Sequence, residues 1–173
     1  MRHQSLSLFV PIVVACASTP AQHERVLATT DAGVVRQYEN NSTRTAVVHA
    51  APDRMLAALK AAYAGLGIET KLWDPSNGQV GNREFVRTRR MAGAAMSQYV
   101  SCGTTLTGEA ADSYRITISL VSQVSPVADS SRIDTQLVAR ADDMASNKGT
   151  ITCQTLGTLE GKLYDIALKD LGM

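Results

Sequence analysis

Histidine and aromatic side chains are few in this chain. It has three histidines, one tryptophan, two phenylalanines and five tyrosines among 173 residues. His3 lies ahead of a long apolar run, which leaves His23 and His49 as candidate acid–base groups, each without placed partners. His49 alternates with Val48 on a strand-like stretch, so it reads as a solvated strand histidine. So few aromatic rings advertise no aromatic-lined carbohydrate cleft. The sequence contains no Gly-x-Ser-x-Gly, no His-Glu-x-x-His and no Cys-x-x-Cys. Gly103 to Gly108 (GTTLTG) has the glycine spacing of a phosphate loop but lacks the Lys-Ser/Thr that would follow. Asp142-Asp143 would bind Ca²⁺ only with more oxygens nearby, and a solvated turn is the plainer reading. No catalytic residue, no metal and no cofactor is expected, and the chain reads as non-enzymatic. Charge of one sign is missing as well. The formal net charge is +1, and it falls to zero if the N-terminal segment, which carries Arg2 and no acid, is removed. Such a balance argues against nucleic acid as a partner.

The N-terminus carries the most specific signal. Met1 to Gln4 is a short stretch with positive charge, and Leu6 to Val14 is apolar apart from Ser7 and Pro11. That run is too short to span a bilayer, which takes about 20 residues. Its length and flanks fit a cleaved signal peptide. Taken alone, the segment allows cleavage near Ala15, Ala17 or Ala21, or a buried apolar strand. The next residues, Val13-Val14-Ala15-Cys16, resemble the lipobox of bacterial lipoproteins. That resemblance implies a signal peptide at 1–15 and a lipidated Cys16. Several acyl chains, palmitate among them, would then make a stable membrane anchor where one would hold only marginally. Ser18 is not Asp, which in lipoproteins of Gram-negative bacteria favours the outer membrane over retention at the inner one. The implied location is the cell envelope, at the outer membrane and facing the periplasm. Residues 16–24 then form a lipidated Cys and polar tether.

With Cys16 assigned to lipid, Cys102 and Cys153 remain. Two cysteines in an exported chain pair more often than not. A bridge across about fifty residues would stabilise the fold by roughly 4 kcal/mol in the chain-entropy model. The alternative is two separate buried thiols. A metal site is disfavoured, because neither cysteine has a ligand at the usual spacing.

The rest of the chain reads as 25–44, a hairpin and loop, and 45–173, one α+β domain. Thr45 to Ala50 is a strand. Ala51-Pro52-Asp53 starts a helix, Leu56, Leu59, Tyr63 and Leu66 follow at helical spacing, and Gly67 ends it. Ile68 to Trp73 and Gln79 to Thr88 read as strands around an Asp74–Gly78 turn. The Ala- and Met-rich stretch Met91 to Tyr99 predicts a short helix. Ser113 to Val124 alternates, with Ile116, Ile118 and Leu120 on one face. Arg132 to Ala141 alternates too, with Ile133, Leu137 and Ala139 inward. Asp142 to Thr150 reads as a polar loop, and Leu159, Leu163, Ile166 and Ala167 mark a closing helix. The expected architecture is an α+β two-layer sandwich. An antiparallel sheet of about five strands, in the order β-α-β-β-β-β-α, is packed by two main helices.

This element order resembles the helix-grip domains of the outer-membrane-assembly lipoprotein BamC, over roughly residues 45–172. It is also similar to small uncharacterised envelope lipoproteins that share Cys-Gly and a later Cys-x-x-x-Gly-x-Leu-Glu, here Cys102-Gly103 and Cys153 to Glu160. The resemblance implies an interaction or assembly module with an envelope protein as partner. A dense basic run, Arg83, Arg87, Arg89 and Arg90 around Phe85, is the candidate contact surface; on a regular strand Arg83, Arg87 and Arg89 would share a face. Edge-strand protection is the plainer reading of the same charges. Met91, Met96 and Met144 read chiefly as core. The alternative function is a small apolar-ligand binder, with a cavity between sheet and helix lined by Leu56, Leu59, Ile116 and Ile118.

Overall fold

The computed structural model describes residues 24–30, 33–38, 43–143 and 149–173, the first two segments as backbone only. The expected signal peptide, Cys16, the tether up to residue 23 and Met144 lie outside the described residues. β1 (Glu24–Thr30) and β2 (Gly33–Tyr38) pair antiparallel as a separate two-stranded sheet.

The domain is built on two thirteen-residue strands, β11 (Arg115–Val127) and β12 (Ser130–Asp142). They pair without a break from Arg115↔Asp142 to Val127↔Ser130, joined by a two-residue turn. Ala128 opens that turn with φ 51°, the positive value that tight hairpin turns require. The period-two alternation does the sorting. Ile116, Ile118, Leu120 and Val124 on β11 meet Ile133, Leu137, Ala139 and Ala141 on β12, all buried on one face. β5 (Gln79–Thr88) pairs along the far side of β11, and β4 (Leu72–Asp74) pairs with β5. On the far side of β12, β3 (Thr43–Val48) pairs with residues 131–136 and β13 (Thr150–Thr155) with 139–142, so the two lie end to end along one edge.

Two helices cover the apolar face. α1 (Pro52–Gly65) begins with proline in its first turn and Asp53 at its positive end. It ends in a left-handed Gly67 (φ 69°), where Ile68 N–H reaches back to the Tyr63 carbonyl at 2.9 Å. Met55, Leu56, Leu59 and Tyr63 point into the core. α2 (Thr158–Asp170) packs beside α1 and adds Leu159, Leu163 and Ala167. The result is the expected α+β class, an antiparallel sheet packed by two helices.

Several elements differ from expectation. The main sheet has seven strands rather than about five. Ile68 to Trp73 contributes strand only from Leu72. Met91 to Tyr99 is not a helix. It forms a tight hairpin, β6 (Arg90–Met91) and β7 (Ala94–Ala95), and a 3-10 turn at Met96–Gln98. Ala92 (φ 45°) and Gly93 (φ 82°) are left-handed, which a helix forbids. Residues 104–112 repeat the device: β9 (Thr104–Thr105), β10 (Gly108–Glu109) and a 3-10 turn at Ala110–Asp112. The two turns meet where Asp112 accepts from Ser97 N–H at 2.8 Å and Ser97 Oγ–H at 2.7 Å. Between them lies β8 (Val100–Ser101), which pairs with β13 through Ser101↔Gln154 and Val100↔Thr155. The Cys102–Cys153 disulfide is the next rung of that ladder, with Cα atoms 4.3 Å apart. Cys153 therefore sits in a strand.

Candidate contact surface

β5 is fixed at its start by a turn. The Asp74 carboxylate accepts from Ser76 Oγ–H, from Asn77 Nδ2–H at 2.7 Å and from Asn77 N–H at 3.2 Å. These bonds, the one from Ser76 foremost, hold the Asp74 carboxyl below its ordinary pKa. Gly78 closes the turn at φ 65°, and a Cβ there would sit 2.2 Å from the Val124 carbonyl. On its outer side β5 meets β4 only over Gln79, Val80 and Gly81. From Asn82 to Thr88 that side has no strand partner among the described residues. The loop before β4 is tied to it instead: Asn82 Nδ2 donates to the Glu69 carbonyl at 2.7 Å, and Asn82 Oδ1 accepts from Glu84 N–H at 3.0 Å.

A bulge redistributes the basic side chains. Ile118 faces Phe85, but Leu120 faces Asn82, so Arg83 and Glu84 together stand opposite Ser119. One extra residue reverses which face its neighbours occupy. Phe85 and Arg87, opposite Ile118 and Ile116, turn to the helix face. Phe85 is buried in the core rather than offered to a partner. Arg87 lies half-buried, its guanidinium 5.1 Å from the Phe85 ring centre; it donates to the Gly67 carbonyl at 2.6 Å and the Val86 carbonyl at 2.9 Å. Arg83 is exposed. Arg89 follows the strand with φ 61°, and Arg90 bonds the Gly93 carbonyl at 2.8 Å; both are exposed. The arginines thus form a basic edge, not one basic face.

A groove of about 570 Å³ runs along this edge, between Lys71 and Leu72 on one side and Arg83, Glu84, Phe85 and Val86 on the other. Lys71 and Leu72 escaped sequence reasoning because no pattern there marks a groove. A second depression, about 400 Å³, lies on the face away from the helices around Thr117, Arg140, Asp142, Thr150 and Thr152. There Thr150 Oγ–H donates to Asp142 at 2.7 Å.

The remaining candidates are dispersed. His49 is exposed, with Nδ1 3.4 Å from Ser130 Oγ and 3.6 Å from the Asp129 carboxylate. Leu56, Leu59, Ile116 and Ile118 are at most 3% exposed and belong to the contiguous core. Met91 and Met96 are buried there too. Within the core runs a hydroxyl chain that no sequence signal marked: Tyr63 Oη to Ser122 Oγ at 3.0 Å, and Ser122 Oγ to Thr135 Oγ1 at 2.7 Å. Burial pushes the Tyr63 phenol well above its ordinary pKa. Glu160, in the first turn of α2, is buried with one carboxylate oxygen bonded to Thr155 Oγ1 at 2.8 Å and the other without a hydrogen-bond partner among the described residues. Among the described residues, no group of three His, Cys, Asp or Glu side chains is placed to hold a metal ion, and no helix is long and apolar enough to cross a membrane.

No protein-family model, curated protein or solved structure matches the chain.

Proposed function

We propose that this is a lipid-anchored, non-enzymatic protein of the bacterial envelope, held to the outer membrane through Cys16, whose α+β domain serves as an interaction or assembly module. The observation that carries this reading is the β5 edge. A ten-residue strand is partnered by β4 over three residues only, and its uncovered part is basic and grooved. Exposed sheet edges are where proteins add partners, unless charge or shape deters them. Here the charge is predominantly basic, with Lys71 and Arg83 beside Glu84, which deters some partners and selects others.

Photo-crosslinking in living cells tests the reading. A crosslinkable residue replaces Arg83 or Glu84 on the edge, and Lys169 on the exposed side of α2 as a control. Adducts of discrete mass from the two edge positions and none from the control are expected. Equal labelling at all three positions, or none at the edge, would overturn the assignment of this surface.

A further inference from the structure

We propose that the open edge of β5 takes up an acidic, extended peptide segment as an added β-strand. This rests on the interaction-module reading and names the class of partner. The stretch without an outer strand partner runs from Asn82 to Thr88, long enough to match a typical strand of five or six residues, and the loop before β4 holds it through side-chain bonds from Asn82 to the Glu69 carbonyl and from Arg87 to the Gly67 carbonyl. Part of its hydrogen-bonding capacity is taken by its own side chains. Asn82 Oδ1 accepts from Glu84 N–H, and Arg87 donates to the Val86 carbonyl. These are local substitutes for a ladder, and an incoming main chain can take their place.

Charge chooses between occupants. Lys71, Arg83, Arg87, Arg89 and Arg90 outnumber Glu69 and Glu84, and Glu69 is already 3.9 Å from the Lys71 ammonium. A second copy of this edge would set arginine against arginine, which costs free energy in a cross-strand pair. An acidic strand meets the same side chains favourably. The groove also carries apolar surface from Leu72 and Val86 beside the charged tips of Lys71 and Arg83. An extended segment alternating acidic and small apolar residues would place each type on its match, because successive side chains of a strand point to opposite sides.

The test uses the full chain in detergent and three synthetic hexapeptides with blocked ends. One alternates Glu and Val, one alternates Lys and Val, and one is the Glu–Val peptide with proline replacing two central residues. Backbone amide shifts and hydrogen exchange are followed by NMR. The Glu–Val peptide is expected to perturb and protect residues 82–88, and its binding to weaken as salt rises. The lysine and proline peptides are expected to bind at least about tenfold more weakly, since one reverses the charge and the other lacks ladder N–H donors. Arg83→Glu should cost the Glu–Val peptide a similar factor, and Arg140→Glu on the far face should leave it unchanged. Equal binding of all three peptides, perturbation away from 82–88, or no binding at millimolar peptide would overturn strand addition and leave the basic edge as protection against aggregation. If the edge crosslinks in cells while the peptides fail, strand addition falls and the module stands. If both fail, both readings fall.

Discussion

The β11–β12 hairpin and the stretch from Arg89 to Tyr114 are consecutive in the chain and opposite in construction. The hairpin is regular. Thirteen paired positions, one short turn and strict alternation bury one side of each strand, so its stability is spread over many equivalent contacts. The preceding stretch holds five two-residue strands, two 3-10 turns and left-handed residues at Arg89, Ala92, Gly93, Gly103 and Gly108. Such short pieces cannot stabilise themselves. They are held by particular ties. Met96, Tyr99 and Val100 are buried, Asp112 accepts twice from Ser97, Lys162 reaches the Ala92 carbonyl and Tyr99 Oη, and the disulfide joins Cys102 to β13. Periodic burial makes one kind of structure, and a few specific bonds make the other.

The comparison can be broken most forcefully at the disulfide. Replacing Cys102 and Cys153 together by alanine should cost roughly 4 kcal/mol in urea unfolding. Hydrogen exchange should rise first in residues 96–112 while β11 and β12 keep their protection. Simultaneous loss in both regions would make them one cooperative unit. Next in size is Leu120→Ala, a fully buried side chain at the middle of β11. It should cost about 3 kcal/mol and weaken both regions alike, because the irregular stretch rests on the sheet. Asp112→Ala should cost about 1–2 kcal/mol, with the added exchange confined to residues 89–114. Smallest is Arg83→Glu, at an exposed edge position. It should move stability by less than about 0.5 kcal/mol while sharply reducing the crosslinks formed from position 84.

What was legible in the sequence follows the same division. β11 and β12 could be read because alternation is a pattern, and α1 because Pro52, Asp53 and Gly67 mark its ends. The Met91–Tyr99 stretch misled for a physical reason. Alanine and methionine favour helix, but propensity is a weak prior beside the left-handed Ala92 and Gly93 and the burial of Met96 and Tyr99. β13 was hidden because it pairs with β12 over only four residues and begins in a polar stretch. The contact surface was half legible. Its basic residues could be listed, but the bulge that turns Phe85 inward is one inserted residue, and it reverses a face without altering composition. The groove beside Lys71 and Leu72 arises from where β4 stops, which only the folded chain reveals.

Every functional statement depends on the compartment, and the compartment depends on Cys16. The most direct measurement is the intact mass of the protein taken from membranes of its native bacterium, before and after reduction. A chain beginning at Cys16, heavier by its acyl groups and gaining two hydrogens on reduction, is the predicted result. An unlipidated chain beginning after Ala15 or Ala21, or one that keeps Met1, would contradict it.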